Sequence, residues 1–419
     1  MDVQRRLKDK HRLQSPGMSI DSKIIIANWV LPVAGPPIQN GAVAIEAGRI
    51  LAVGSQDEIP VAHPTMEVQE LPATTIIPGL VNAHTHLEFS DLASPLGYHG
   101  ISLPDWIRIV VQSRYETSPA DKRNAISQGL HELVSTGTVA VGEIATPPTN
   151  LVADYAASPV HKTIFLEQLT RNLDLLPQRA SEAATHLDQT TLSMGLSPHA
   201  PYSTHAKLVE QLVDAAIEND APLAMHLAES RDEIELLESR SGRFVEMLKG
   251  FGVWNPDSFS DRDSIDNLIE QLGRHKRSLL IHGNYLTDQQ LKRIAELGLT
   301  IVFCPRTHAW FGHQPYPLSR MLELGINVAV GTDSRGSNPD LNLLEDMKHI
   351  ATNHPASTPA TILEIGTLNG ARALGIQDQF GSLEKGKLAA LCQIQSKQQQ
   401  DSPWWWLTEK SAIAKPVND

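Results

Sequence analysis

Two histidines two residues apart, His84 and His86, lie in the apolar run LVNAHTHL. On an extended strand the side chains at i and i+2 point the same way, so both imidazoles can reach one metal ion. The pair alone carries little weight. With 17 histidines in 419 residues, this spacing is expected about once by chance. Its weight comes from company: His226 and Glu229 close the run LAMHLAES, His282 lies in LLIHGNYL, His199 in LSMGLSPHA and Asp333 in INVAVGTDS. Imidazoles and a carboxylate are the ligands a divalent transition metal prefers. Each residue also has a plainer role open to it, as a core histidine, a solvated carboxylate at a helix start, or a helix cap.

Such a set works only on a scaffold that gathers the ends of distant segments. From Pro78 onward, short apolar runs alternate with longer amphipathic stretches. The runs at 80–87, 139–145, 163–169, 192–200, 223–230, 279–286, 300–307 and 326–334 read as strands. RNAISQGLHELVSTG and AKLVEQLVDAAIEND read as helices, the second stopping at an Asn-Asp pair. Strand–helix alternation repeated eight times predicts an α/β chain folded as a (β/α)8 TIM-type barrel over 78–375. In such a barrel the C-terminal strand ends share one face. Five of the eight predicted strands end in His or Asp, a register that scattered core histidines would not keep.

Residues 21–77 carry short Val- and Ile-rich segments broken by Gly, Pro and Asn, and β character returns at 376–398. Together they predict a small β-sandwich built from both ends of the chain. Residues 1–20 read as a flexible arm and 399–419 as a tail. The tail holds Trp404–Trp406, which either packs on the body or marks a homodimer contact. The charged stretch 231–278 reads as two helices and a loop, either covering the barrel mouth or solvated beside it. A net charge of −13 argues against nucleic acid as a partner and leaves a small-molecule substrate. Two cysteines far apart exclude a disulfide framework, and no apolar run reaches membrane-spanning length. A cytoplasmic protein that does not enter membranes is the expectation.

The ordered set PGLVNAHTHL, SPHAPYS, MHLAES, LIHGN, Cys304-Pro305 and GTDS resembles the amidohydrolase superfamily. The similarity is to its mononuclear deaminase and triazine-hydrolase branch, which holds guanine, S-adenosylhomocysteine and aminofutalosine deaminases. It runs from the N-terminal β segment to GSLEKGK at 381–387. The resemblance implies a metal held by His84, His86, His226 and Asp333. It also implies Glu229 as proton shuttle, His282 as the residue that orients water and polarises substrate, and His199 as a substrate contact. Asp333 would also take a proton from the attacking water. Dinuclear relatives bridge two metals with a lysine after the fourth strand; SPHAP has none, so one ion is expected, Zn²⁺ with Fe²⁺ as the alternative. The implied reaction is hydrolytic deamination of an aminated heteroaromatic ring, a purine, nucleoside or relative, by attack of metal-bound hydroxide. Removal of chloride or alkylamine from a triazine-like ring, or a dinuclear amidase, are the competing readings.

The chain departs from that pattern beyond strands seven and eight. Where relatives read CPxSN, it has Cys304-Pro305-Arg306-Thr307-His308, then Trp310 and Phe311; after Asp333 come Ser334 and Arg335. Arg306 and Arg335 would suit a substrate carboxylate or phosphate, with an ion pair to Asp340 as the other reading for an arginine there. His308 replaces the asparagine at the pocket face, and Trp310 would stack on a ring or pack in its loop. Glu88 continues the 84, 86, 88 alternation and would line the pocket or enter a helix. An acidic appendage on the substrate is the resulting expectation.

Overall fold

The computed structural model describes residues 22–147, 155, 157–188 and 192–417. The expected arm at 1–20 lies outside them. Four strands open the chain: β1 (Lys23–Val30), β2 (Ile38–Glu46), β3 (Arg49–Ser55) and β4 (Glu67–Pro78). Eight follow in the barrel: β5 (Leu80–Thr85), β6 (Thr138–Ala145), β7 (His161–Gln168), β8 (Ser193–Pro198), β9 (Leu223–Leu227), β10 (Ser278–His282), β11 (Thr300–Phe303) and β12 (Asn327–Val330). β13 (Leu391–Gln395) and β14 (Ala414–Pro416) close the chain.

The barrel strands pair in chain order, all parallel, and a bridge between Thr85 and Asp333 joins the first to the segment after the last. β5, β9 and β10 are buried along their whole length, as strands covered on both faces must be. All eight predicted strands are present. β6 ends at Ala145 as predicted and β7 one residue early; the other six stop two to four residues short, because the chain turns out of the sheet where the polar side chains begin. Helices cover the outside with apolar stripes. In Ala206–Asn219, Leu208, Val209, Leu212, Val213 and Ala216 are buried, and Asp220 ends the helix in the left-handed conformation at φ 49°. The helix Pro119–Ser135 starts on a reciprocal cap between Ser118 and Asp121.

The second unit is a mixed sheet of order β14-β13-β4-β1-β2-β3, in which β1 and β4 run parallel. β4 leads into β5 through Gly79 alone, so this sheet anchors the strand that carries His84. β14 comes from the segment expected to be a tail. In that same segment Trp406 is fully buried, and the Trp405 indole N–H donates to Thr75 Oγ1 at 3.1 Å. Trp405 and Trp406 pack on the body, with Trp404 half-buried beside them. The stretch 231–278 forms three helices rather than two: Arg231–Ser239, Arg243–Gly250 and Ile265–Gly273. Among the described residues no helix is long and apolar enough to cross a membrane.

Candidate metal centre and active site

β5, β7, β8, β9, β10 and β12 each bring a polar side chain to the site, at or just past the strand's C-terminal end. His84 ends β5 among fully buried neighbours, and His86 follows at the start of a short turn, Leu87–Phe89. The Asn82 side chain donates to Thr332 Oγ1 at 2.7 Å and accepts from the Thr332 N–H at 3.1 Å, locking β5 to the segment that carries Asp333. Gly331 is needed in the same contact: a Cβ there would lie 2.8 Å from His84 Cβ and from the His84 carbonyl oxygen. Three residues here adopt positive φ without being glycine: Ala228 at 54°, His282 at 70° and Asp333 at 57°. Such strain clusters at sites where side-chain aim outweighs backbone comfort.

The result is one cluster. His84 and His86 place Nε2 3.7 Å from Asp333 Oδ1. Ring centroids of His84 and His226 are 5.0 Å apart, and those of His226 and His282 5.5 Å. One ligand atom from each of His84, His86 and Asp333 lies within 4.8 Å of the others, and the same holds for His84, His226 and His282. His84 is fully buried, yet neither of its ring nitrogens has a hydrogen-bond partner, and Nδ1 of His86 has none. Buried polar atoms are rarely left so, and a cation among them would give the buried Nε2 of His84 a partner. Burial, with the neighbouring His84, lowers the His86 pKa to about 4; burial, with the same histidine, holds His226 well below its ordinary range. Burial pushes Asp333 up, but His84, His86 and His282 outweigh it and keep it a carboxylate. Neutral imidazoles beside an ionised carboxylate are what a divalent cation requires.

The groups beside the cluster are held as firmly. Nδ1 of His226 donates to the His199 carbonyl at 2.9 Å, fixing the tautomer that leaves the Nε2 lone pair available. Ser337 donates to Asp333 Oδ2 at 3.1 Å. The turn that presents Glu229 is clamped by Glu233, which accepts the N–H groups of Ala228 and Glu229 at 2.9 and 2.8 Å. Glu229 Oε1 lies 3.4 Å from His282 Nε2. Burial, then the charges of Asp333 and Glu233, raise the Glu229 pKa well above its ordinary value. The carbonyl of His282 is pinned by the Tyr316 hydroxyl at 2.8 Å.

The residues expected to read the substrate fall elsewhere. Arg306 leaves the barrel in the first turn of Pro305–Trp310 and pairs with Asp340 at 2.7 Å and buried Asp346 at 2.8 Å, so the ion pair with Asp340 is present. Arg335 turns back to the Leu92 carbonyl at 3.0 Å and Glu132 at 2.8 Å. His308 packs among Phe303, His313 and Tyr316, and Trp310 packs edge-on against His99. Glu88 lies one layer behind, accepting from Arg114 at 2.5 Å and paired with Lys122 at 3.1 Å. None of these five lines the cavity above the cluster; His86, His199, His226, Glu229, His282 and Asp333 do.

That cavity measures about 1040 Å³ and runs from the histidines outward between the helix Leu103–Glu116, the segment 169–175 and the stretch 247–258. The long insertion therefore roofs the site. Two carboxylates not expected from sequence stand out. Glu167 ends β7 on the cavity wall, 3.8 Å from His199 Nε2 and accepting from Thr146 at 3.2 Å. Burial opposes its charge, but His199 and Arg114 keep it ionised. Glu143, on β6, accepts the Leu87 N–H at 3.0 Å and the Tyr155 hydroxyl at 2.8 Å, fixing the chain just past His86. Glu167 carries the signature used for His199, a polar residue near the end of an apolar run, whereas Glu143 lies inside its run, before Ile144 and Ala145.

The family model described as the amidohydrolase family matches residues 75–416. A 5-methylthioadenosine/S-adenosylhomocysteine deaminase of Desulforudis audaxviator is 28% identical over 389 residues, covering 88% of this chain and 84% of its own. Among solved structures, aminofutalosine deaminase of Helicobacter pylori, in complex with methylthio-coformycin, superposes with a TM-score of 0.80 at 22% identity, covering 93% of this chain and 97% of that one. The zinc complex of an atrazine chlorohydrolase from Arthrobacter aurescens gives 0.76 at 18% identity, covering 94% and 96%. At these identities the two structures show a shared fold.

Proposed function

This chain belongs to the amidohydrolase family, and on that premise we propose that it is a metal-dependent hydrolytic deaminase of an aminated heteroaromatic ring, exchanging a ring amine for oxygen and releasing ammonia. The observation that carries the reading is the placement of Glu229 3.4 Å from His282, beside a histidine–aspartate cluster at the floor of a large cavity. His84, His86, His226 and Asp333 would hold a single divalent ion. Three imidazoles and a carboxylate suit zinc, with Fe²⁺ the alternative, and the solved atrazine chlorohydrolase relative contains zinc. Bound there, the ion supplies the Lewis acidity that makes water a nucleophile at neutral pH.

The chain's own groups do the rest. The Asp333 carboxylate accepts the proton lost by the attacking water. Neutral His282, its carbonyl fixed by Tyr316, orients that water and the ring carbon it attacks. Glu229 gives its proton to a ring nitrogen as the carbon becomes tetrahedral; the proton taken up by Asp333 then passes to the amine, which leaves as ammonia, while the new hydroxyl returns a proton to Glu229 as the carbonyl forms. Glu167 and His199 form the polar wall where substrate hydroxyls bind, one donating to the carboxylate. The buried, unpaired thiols of Cys304 and Cys392 support a cytoplasmic setting.

Ammonia release by zinc-loaded protein, screened across aminated purines, pyrimidines, nucleosides and pterins, tests the reading. Release from at least one ring is expected, with one metal per chain. Halide release from chlorinated triazines without any ammonia would overturn it, and two metals per chain would favour an amidase.

A further inference from the structure

Twelve large apolar side chains are substantially exposed among the described residues, and five of them line one cavity mouth: Leu169, Leu173, Leu175, Phe251 and Val253. They come from two separate segments, 169–175 after β7 and 251–253 in the insertion. Single exposed apolar residues need no explanation, but convergence from two segments on the rim of a ligand cavity does. Their exposures run from 37% for Leu175 to 60% for Val253.

The charges around them narrow the ligand. The cavity wall holds three cations, Arg114, Arg171 and Arg179, and each already has an acid. Arg114 pairs with Glu88 at 2.5 Å, Arg171 with Asp263 at 3.0 Å and Arg179 with Glu182 at 2.8 Å. Two further acids, Asp174 and Asp257, stand at the same mouth. A phosphate or carboxylate arriving there would meet carboxylates and paired arginines. The volume, about 1040 Å³, is also ample for more than a bare heterocycle.

We propose that the outer half of the cavity is a subsite for an uncharged apolar substituent on the substrate, bound between Leu169, Leu173 and Leu175 on one side and Phe251 and Val253 on the other. The inference rests on the deaminase reading for the inner half, and it replaces the acidic appendage expected from Arg306 and Arg335. Burying an aryl or alkyl group against these side chains is worth about ten- to hundredfold in kcat/KM.

The test compares four adenosines carrying at the 5′ position a phenylthio group, a carboxyethylthio group, an aminoethylthio group or a phosphate. Ammonia release is measured beside binding, followed by quenching of Trp106 and Trp254, which line the cavity. The phenylthio compound is expected to lead the other three by at least about tenfold, with Leu173→Asp and Val253→Asp each collapsing the ratio. Val61→Asp, an exposed apolar site on the small domain, should keep it. If ammonia is released but a charged compound matches the phenylthio one, the subsite is wrong and the deaminase reading stands. If no compound releases ammonia, the catalytic reading fails for adenosine-type rings and binding decides. Tighter phenylthio binding that Leu173→Asp removes supports the subsite, and equal or absent binding of all four overturns it.

Discussion

The inner and outer halves of the cavity are built on different principles. The inner half takes His84, His226, Glu167 and His282 from strand ends, with Asp333 just past β12, all buried, and His226, Glu167 and Asp333 hydrogen-bonded in place. The outer half takes Leu173, Leu175, Phe251 and Val253 from connecting segments, all substantially exposed and held by no comparable network. Charge is concentrated and fixed in the first, and apolar surface is displayed in the second. A rigid barrel can keep catalytic atoms within the tolerance chemistry demands, while loops that contribute only contact area are free to vary. The comparison teaches that reaction type and substrate preference reside in separable parts of this chain.

The sharpest way to break that separation is to remove a ligand. Asp333→Ala should abolish turnover on every substrate and lower metal content below one ion per chain, measured by elemental analysis of the purified protein. Treatment of the wild type with a chelator should have the same effect, reversed by adding zinc. Activity that survives either treatment would show that the inner half does not depend on a metal. Glu229→Gln comes next. It keeps shape and metal but removes the transferable proton, so kcat should fall by about 10²- to 10⁴-fold with metal content unchanged. A variant within severalfold of wild type would remove Glu229 from the proton path.

The same division explains what the sequence could disclose. A strand has a period of two and a defined end, so His84-x-His86, His199, His226, His282 and Asp333 announce a shared face before any coordinates are known. Glu167 obeys the rule equally in TIFLEQL, but a lone carboxylate after an apolar run has many other uses. One or two residues beyond a strand the rule lapses. Arg306 begins a six-residue helix whose first turn faces Asp346, forty residues on, and nothing in the spacing of Cys304-Pro305-Arg306 encodes that direction. The apolar mouth is less legible still, since Leu173 and Phe251 meet only after the insertion has folded over the barrel. Likewise β14 and the buried Trp406 were hidden in a segment whose polar QQQ run resembles a tail.

Glu167 sits at the boundary of the two halves, and its effect should be intermediate. Glu167→Gln removes an ionised acceptor while preserving volume. For a ribosylated substrate KM should rise by about tenfold, with kcat little changed, as loss of a hydrogen bond to a charged group predicts. The free base, lacking hydroxyls, should be unaffected. An equal loss on both would mean that the carboxylate acts through His199 on the inner cluster rather than on the substrate.

The smallest effect on turnover belongs to the two arginines outside both halves. Arg306→Ala strands Asp346, which is fully buried, and should cost about 3–5 kcal/mol of stability, read as a lower Tm or denaturant midpoint. Arg335→Ala breaks a pair with Glu132 that is partly open to solvent, so its cost should stay near 1 kcal/mol or below. Neither should alter the ratio of kcat/KM for acidic over neutral substrates, because neither side chain reaches the cavity wall. The two measurements pull apart by design. A stability loss confined to Arg306→Ala with an unchanged ratio in both variants places these cations in the scaffold. A selective KM rise for acidic substrates in Arg335→Ala would return that arginine to the pocket and dissolve the boundary between chemistry at the strand ends and preference at the mouth.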